Sequence, residues 1–330
     1  MIIAGPCAAE SEAQVQETAR ALLSLQSPLY GGLVFRAGIW KPRTNPDTFQ
    51  GVGEAGLAWL RCVKERTGLP TATEVATPEH IHLALAAGVD YLWLGARTTA
   101  NPILVQSLAD AFADAARKGA RCTVLVKNPV NEDAALWIGN IERIERAGCE
   151  VMAIHRGCGH RPCWTMAHTL RTQRPDIPLL IDPSHMGGSA ERIAPLLQKG
   201  FSLGYDGAMV EVHPHPEHAL SDSKQQITAA ALDAILHGLR YEQHADGLNF
   251  LRAELDEIDD QIWQLLVQRM AISERIGVWK KQHAMSALQP TRYEQMVGDR
   301  VAWGTQQGLT EETIRGIYDL IHAESLKRQK

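Results

Sequence analysis

The sequence predicts a closed parallel α/β barrel of eight strands followed by a separate all-helical domain. From residue 1 to about 237, short apolar runs alternate with segments of helical periodicity, and each run ends on a polar residue or cluster. Chemistry placed at the ends of many buried strands is the pattern of a (β/α)8, or TIM, barrel. No GxGxxG follows the first run, which argues against an open doubly wound sheet. Beyond residue 247 strand signals stop, and apolar residues recur at three- and four-residue steps. The domains are read as a barrel over 1–237, a linker over 238–247 and a helical domain over 248–330.

The elements follow in order. Strand one, Ile2-Ile3-Ala4, runs into Gly5-Pro6-Cys7, and a helix follows with Val15, Ala19, Leu22 and Leu23 on one side. Strand two, Gly32 to Arg36, opens a long loop through Lys41-Pro42-Arg43-Thr44. A helix through Ala55–Leu60 leads to strand three, Thr71–Glu74, and Pro78 starts the next helix. Strand four is Tyr91–Gly95; helix Ile103–Arg117 leads to strand five, which ends Val126-Lys127. Helix Ala134–Ala147 leads to strand six, Val151 to Arg156, and helix Cys163–Thr172 to strand seven, Leu179–Ile181. That strand breaks at Asp182-Pro183 and delivers His185 onto the loop beyond. A helix through Ile193–Leu197 precedes strand eight, Ala208–Val212, and a helix from Lys224 to Leu239 closes the set. In the helical domain, Leu251, Leu255, Ile258, Ile262, Leu265 and Ile276 mark one helix to about Gln282. Shorter helices follow, Pro290–Gln307 and Glu311–Lys327. So long a helix cannot bury its stripe within about 80 residues unless another chain covers it, so a homodimer of three-helix units is expected.

Bulk properties exclude several classes. A net charge of −5 gives no case for nucleic acid or anionic membrane, and residues 248–330 balance 11 Lys/Arg against 12 Asp/Glu. No apolar run approaches the ~18 residues of a membrane span, and a cytoplasmic location is expected. Six cysteines in 330 residues make no disulfide framework. Cys62, Cys122 and Cys149 read as buried thiols; Cys158 and Cys163, in a Gly/Pro/His loop, carry a faint metal-binding hint.

Strand order brings the ends of strands one, seven and eight together, with Cys7, His185 and Glu211, and Asp222 eleven residues on. A thiol, an imidazole and two carboxylates make a mixed divalent-metal site suited to Mn, Fe, Co or Zn. Arg36, Lys41, Arg43, Arg97, Lys127 and Arg156 all fall at strand ends or in the loops just after them. Cations so grouped suit small, multiply anionic substrates carrying phosphate and carboxylate.

Gly5-Pro6-Cys7-Ala8-Ala9-Glu10-Ser11, Lys41-Pro42-Arg43-Thr44, Gly95-Ala96-Arg97-Thr98-Thr99, Asp182-Pro183-Ser184-His185 and Glu211-Val212-His213-Pro214 resemble the motifs of type I 3-deoxy-D-arabino-heptulosonate-7-phosphate (DAHP) synthases. The resemblance covers about residues 1–237 and implies condensation of phosphoenolpyruvate with erythrose 4-phosphate. It implies Cys7, His185, Glu211 and Asp222 as metal ligands and Arg36, Lys41, Arg97, Lys127 and Arg156 around phosphoenolpyruvate, with Lys41 and Lys127 catalytic. Arg43 and Thr44 would hold the sugar phosphate. The rival on this scaffold, 3-deoxy-manno-octulosonate-8-phosphate synthase, uses arabinose 5-phosphate and normally has an Asn-containing loop where this chain has Lys41-Pro42-Arg43-Thr44.

On the long helix, Arg269 and Lys280 are eleven residues apart, so they share a face and can reach one ligand. Arg252 is too far along the axis to join them within one chain, but an antiparallel partner could supply it. Leu251-Arg252, Asp259, Arg269, Gly277 and Lys280, followed by Arg292, Ser325 and Gln329, resemble the all-helical chorismate mutases. The resemblance implies rearrangement of chorismate to prephenate. Arg252 of the other chain, Arg269 and Arg292 would bind carboxylates; Lys280 and Gln329 would donate to the ether oxygen, with Ser325 nearby. Gln289 and Tyr293 stand where several relatives have acids. A purely dimerising helical domain is the plainer alternative. The fusion further suggests that prephenate or chorismate, bound to the helices, slows the barrel reaction.

Overall fold

The structure is a computed structural model describing residues 1–26, 32–42, 45, 47–240 and 247–329. Eight parallel strands close in sequence order: β1 (Ile2–Gly5), β2 (Leu33–Arg36), β3 (Thr71–Val75), β4 (Tyr91–Leu94), β5 (Thr123–Lys127), β6 (Glu150–His155), β7 (Leu179–Ile181) and β8 (Gly207–Glu211). The seam is β8 on β1, with Ile2 opposite Ala208 and Gly5 opposite Glu211. Around them run α1 (Glu12–Leu23), α2 (Ala55–Thr67), α3 (Pro78–Ala86), α4 (Ala96–Thr99), α5 (Pro102–Arg117), α6 (Ala134–Arg146), α7 (Trp164–Gln173), α8 (Pro183–Gly187), α9 (Ile193–Ser202) and α10 (Ala229–Gly238). Several starts are written in the sequence as caps. Ser11, Thr77, Asn101, Asp133 and Thr228 each accept a backbone N–H of the first turn, and Pro follows directly at 78 and 102.

Successive strand residues point to opposite sides, so each strand feeds two cores. Ile3, Val34, Ala72, Trp93, Leu125, Ile154, Leu180 and Met209, one from each strand, pack together inside the barrel. Their neighbours, such as Ala4, Phe35, Leu94, Val126, Ala153, Ile181 and Val210, pack outward against the helices. Both layers are buried, which is why the strands read as continuous apolar runs.

Three expectations need correction. His185 does not ride on an irregular loop: Asp182 caps the short helix α8, accepting from the His185 backbone N–H at 3.1 Å. The last barrel helix starts at Ala229 rather than Lys224, because Thr228 caps it and residues 223–225 form a 3-10 turn. Cys62, Cys122 and Cys149 are only partly buried.

The chain divides into compact units Met1–Glu254 and Leu255–Lys330. Long helix α11 (Gly247–Gln282) begins in the first unit, where Phe250 and Ala253 are buried, Phe250 stacks on His168, and His168 Nδ1 lies 2.8 Å from Glu254. Of the expected linker, residues 241–246 lie outside the described residues. In the second unit α11 is followed by α12 (Pro290–Gln306) and α13 (Glu311–Gln329).

Gly5 sits at φ +147°, and a Cβ there would overlap the Arg36 carbonyl of β2. Gly5→Ala combines backbone strain with overpacking at the β1–β2 contact, so a loss of about 2–5 kcal/mol in urea unfolding is expected.

Candidate active site

Continuing each inward row by two residues, past the apolar plug, gives Gly5, Arg36, Glu74, Gly95, Lys127, Arg156, Asp182 and Glu211. The same two-residue period that fills the barrel delivers these residues to its C-terminal mouth. A cavity of about 200 Å³ opens there, lined among others by Arg36, Lys41, Arg97, Lys127, Arg156 and His185.

Cys7, Glu211 and Asp222 bring one ligand atom each within 4.8 Å of one another. The Cys7 thiol donates to Asp222 Oδ2 at 3.0 Å. His185 stands beside this trio, its Nε2 3.6 Å from Glu211 Oε1. Glu211 is fully buried; Gln225 donates to Oε2 at 2.8 Å, while Oε1 has no hydrogen-bond partner. Burial, then the neighbouring Glu211, pushes the Cys7 thiol up to about 12. A buried oxygen without a hydrogen-bond partner, beside a thiol and a second carboxylate, fits a divalent cation, which would offset the crowding of negative groups. Asp222 holds its place in the left-handed region, φ 49°, at the start of the 3-10 turn.

The cations are not loose. Arg36 is 1% exposed, its Nη2 lies 3.3 Å from Glu211 Oε1, and its guanidinium lies over the Trp93 ring at 4.6 Å. Its Nε and Nη1 are buried without hydrogen-bond partners, so they remain available to an anion. Lys41 Nζ donates to the Cys7 carbonyl at 3.1 Å and to its sulfur at 3.3 Å. Burial works against the Lys41 charge, yet Cys7, Glu74 and Glu211 outweigh it and raise its pKa. Lys127 Nζ lies 2.7 Å from Asp182, and His185 Nδ1 lies 2.9 Å from the same carboxylate. Burial alone would raise the Asp182 pKa, but His185 and Lys127 hold it well below the usual carboxylate range. Arg97 is exposed at the rim, and Arg156 is placed by Asn128, which accepts its backbone N–H at 2.7 Å. Arg43 and Thr44 lie outside the described residues.

Sequence reasoning passed over Glu74, Gln225 and the bridging role of Asp182. The inward row names Glu74, two residues past Ala72, and Asp182 stands three residues before His185 at helix-capping distance. Nothing in the sequence marks Gln225.

In the second unit, α11 and α13 touch through an Arg328–Glu274 ion pair at 2.8 Å and through pairs made by residues the sequence singles out. Arg269 Nη1 donates to Ser325 Oγ at 2.6 Å, and Lys280 Nζ to Gln329 Oε1 at 3.1 Å. Gly277 allows this approach, since a Cβ there would stand 2.6 Å from the Gln329 Cα. Ser273, unexpected from the sequence, shares the Ser325 hydroxyl at 3.2 Å. Arg292 is exposed on α12, Gln289 precedes that helix, and Tyr293 stacks on His322 and donates to Asp319. Arg252 is exposed and falls within the first unit.

Comparison with known proteins bears on both units. Residues 1–244 match the DAHP synthetase I family and residues 251–330 match chorismate mutase type II. A phospho-2-dehydro-3-deoxyheptonate aldolase of Thermotoga maritima is 32% identical over 235 residues, which are 68% of this chain and 64% of that protein. The chain thus spans less than two thirds of that relative. A 2-dehydro-3-deoxyphosphooctonate aldolase of Rhodopseudomonas palustris is 28% identical, over 72% of this chain and 86% of its own. A crystal structure of Thermotoga maritima DAHP synthase superposes with a TM-score of 0.62 at 30% identity, over 72% of this chain and 67% of that one.

A carboxyl held low in the fold contributes stability that is present above its unfolded pKa, about 3.9, and is lost as pH falls through the folded value. Asp182→Asn should therefore cost about 3–5 kcal/mol near neutrality, by stranding buried Lys127. Its urea midpoint should also fall less than the parent's between pH 5 and 3, on the order of the window set by that pKa. Paired urea titrations across this range check both.

Proposed function

The chain belongs to the DAHP synthetase I family, and from that premise we propose that the barrel condenses phosphoenolpyruvate with erythrose 4-phosphate to DAHP and phosphate. We further propose that the helical unit rearranges chorismate to prephenate. The observation that carries the first reading is the mouth itself, a thiol, an imidazole and two carboxylates facing a wall of guanidinium and ammonium groups.

Phosphoenolpyruvate would be held by charge-assisted hydrogen bonds from Arg36, Lys41, Arg97, Lys127 and Arg156, and the sugar phosphate by Arg43 and Thr44. Cys7, His185, Glu211 and Asp222 would hold a divalent ion, Mn, Fe, Co or Zn, which supplies Lewis-acid polarisation of the aldehyde oxygen. The enol carbon then attacks the aldehyde carbon, water adds at C2 of the phosphoenolpyruvate unit, and phosphate leaves by C–O cleavage. Lys41, kept charged beside Cys7, is placed to donate to the oxygen that becomes an alkoxide. Lys127 is fixed by Asp182 so that its charge faces the anions. Together the cations offset repulsion between two anionic substrates and orient them before bond formation.

The helical reaction needs no nucleophile or acid–base pair, only positioning and charge complementarity. Arg269 and Arg292, with Arg252 from a second copy, would bind the carboxylates, while Lys280 and Gln329 donate to the ether oxygen as its bond breaks. Residues such as Leu255, Trp263, Leu265 and Val267 are each more than half exposed in the single chain, which supports a homodimer that covers part of this apolar surface. Ligand binding at the helices would slow the barrel only if prephenate distinguishes two arrangements of the chain.

Phosphate release from phosphoenolpyruvate should require erythrose 4-phosphate, proceed poorly with arabinose 5-phosphate, and stop on chelation. Equal rates with the two sugars would instead favour the octulosonate reaction, which the Rhodopseudomonas palustris relative's description names. Arg269→Ala and Lys280→Ala should each lower chorismate turnover by about 10²–10³-fold while phosphate release persists. Saturating prephenate should slow phosphate release in the parent and leave the Arg269→Ala variant unaffected.

A further inference from the structure

Behind the loop that carries Arg156 lies a group of sulfur atoms that the proposed chemistry does not use. The Cys158 thiol meets the Met166 thioether at 3.4 Å, and a hydrogen bond joins it to the Cys163 thiol. All three residues are buried, Met166 and Cys163 at 1% exposure. The backbone is bent to make this meeting. Gly157 and Gly159 take positive φ, Cys158 and Arg161 exchange hydrogen bonds across a tight turn, and Cys163 stands at φ 51°. Left-handed backbone is costly for a residue with a Cβ, and here it sits at the N-terminus of α7, whose dipole favours a thiolate. The Glu132 carboxylate, 3.7 Å from the Cys163 sulfur, opposes a thiolate, while Arg156 and Arg161 in the same segment favour one, and Arg161 Nη2 lies 3.5 Å from Glu132. The Cys163 hydrogen bond, chiefly, holds the Cys158 thiol below its ordinary pKa.

We propose that Cys158, Cys163 and Met166 form a buried site for a soft monovalent cation of the copper(I) class. Two thiolates and a thioether select soft metals over the harder ions suited to the carboxylate-rich mouth. The metal displaces two thiol protons to solvent, and the resulting singly negative cluster lies beside two arginines. The site adjoins the mouth through Asn128. Its amide donates to the Gly157 carbonyl at 3.0 Å and reaches Cys158 and Met166 at 4.0 and 3.9 Å, while its oxygen holds the Arg156 backbone. Occupancy would therefore stiffen the segment that presents Arg156.

Thiols also occur at three other places, Cys7 in the mouth, the neighbouring Cys122 and Cys149, and the isolated Cys62. The test is an anaerobic copper(I) titration against a chromogenic chelator, using the full chain with Cys7→Ala and Cys122→Ala as background. One tight equivalent is expected, with X-ray absorption showing a shell of three sulfurs. Adding Cys158→Ala and Met166→Leu should weaken binding by more than about 100-fold, beyond the loss typical for second-layer partners. Met166→Leu alone conserves volume and keeps the fold testable; it should shift the shell from three sulfurs to two. No tight equivalent in the background protein, or affinity and shell unchanged in these variants, overturns the site.

Discussion

A strand in a closed barrel turns every second side chain toward the axis, and it cannot turn one apolar residue inward without also turning the residue two positions on. In this chain the row Ile3, Val34, Ala72, Trp93, Leu125, Ile154, Leu180 and Met209 plugs the barrel. The next row is then forced into the mouth, and it is charged or glycine throughout. Packing and chemistry are thus one constraint: a register slip of one residue would turn Arg36, Lys127 and Glu211 outward against the helices and empty the barrel of its plug.

The charged row is internally matched. Arg36 faces Glu211, Lys127 faces Asp182, and Lys41, reaching in from the loop after β2, lies 3.9 Å from Glu74. Buried pairs of this kind contribute little net stability, because desolvation offsets most of the attraction. Their retention at the mouth is better explained by what they hold in place. Asp182 shows this most directly, since one carboxylate fixes Lys127 on the cation side and the His185 ring on the other. Fixing Nδ1 leaves Nε2 turned toward Glu211.

Legibility from the sequence follows the same physics. The strands, their order and the polar residue ending each were readable because a two-residue period is local and needs no tertiary information. Cys7, His185 and Glu211 were readable because strands one, seven and eight must meet once the barrel closes. Asp222 was the least secured of the set, for it is exposed, lies eleven residues beyond the last strand and takes a left-handed backbone that no pattern announces. Gln225 and Ser273 were missed because each acts through one hydrogen bond to a distant residue, and such contacts leave no periodic trace. The division between compact units falls inside the long helix for an opposite reason. Helical periodicity from Leu248 onward is continuous, yet Phe250 and Ala253 are buried with the first unit, so the helix is uniform in sequence while its surroundings are not.

The helical unit inverts the logic of the barrel. Its polar pairs, Arg269 with Ser325 and Lys280 with Gln329, are made between helices rather than delivered by strand ends. Their spacing depends on how closely α11 and α13 approach, and Gly277 sets that distance, because any side chain there would meet the Gln329 backbone. Small changes of helix separation would move both pairs together, whereas the barrel mouth is held by strand pairing on every side. A site whose geometry is set by helix separation responds readily to what packs on the outer faces of those helices. Those helices also leave large apolar side chains such as Trp263 and Val267 exposed in the single chain, so the separation of α11 and α13 is set by fewer contacts than hold the barrel mouth.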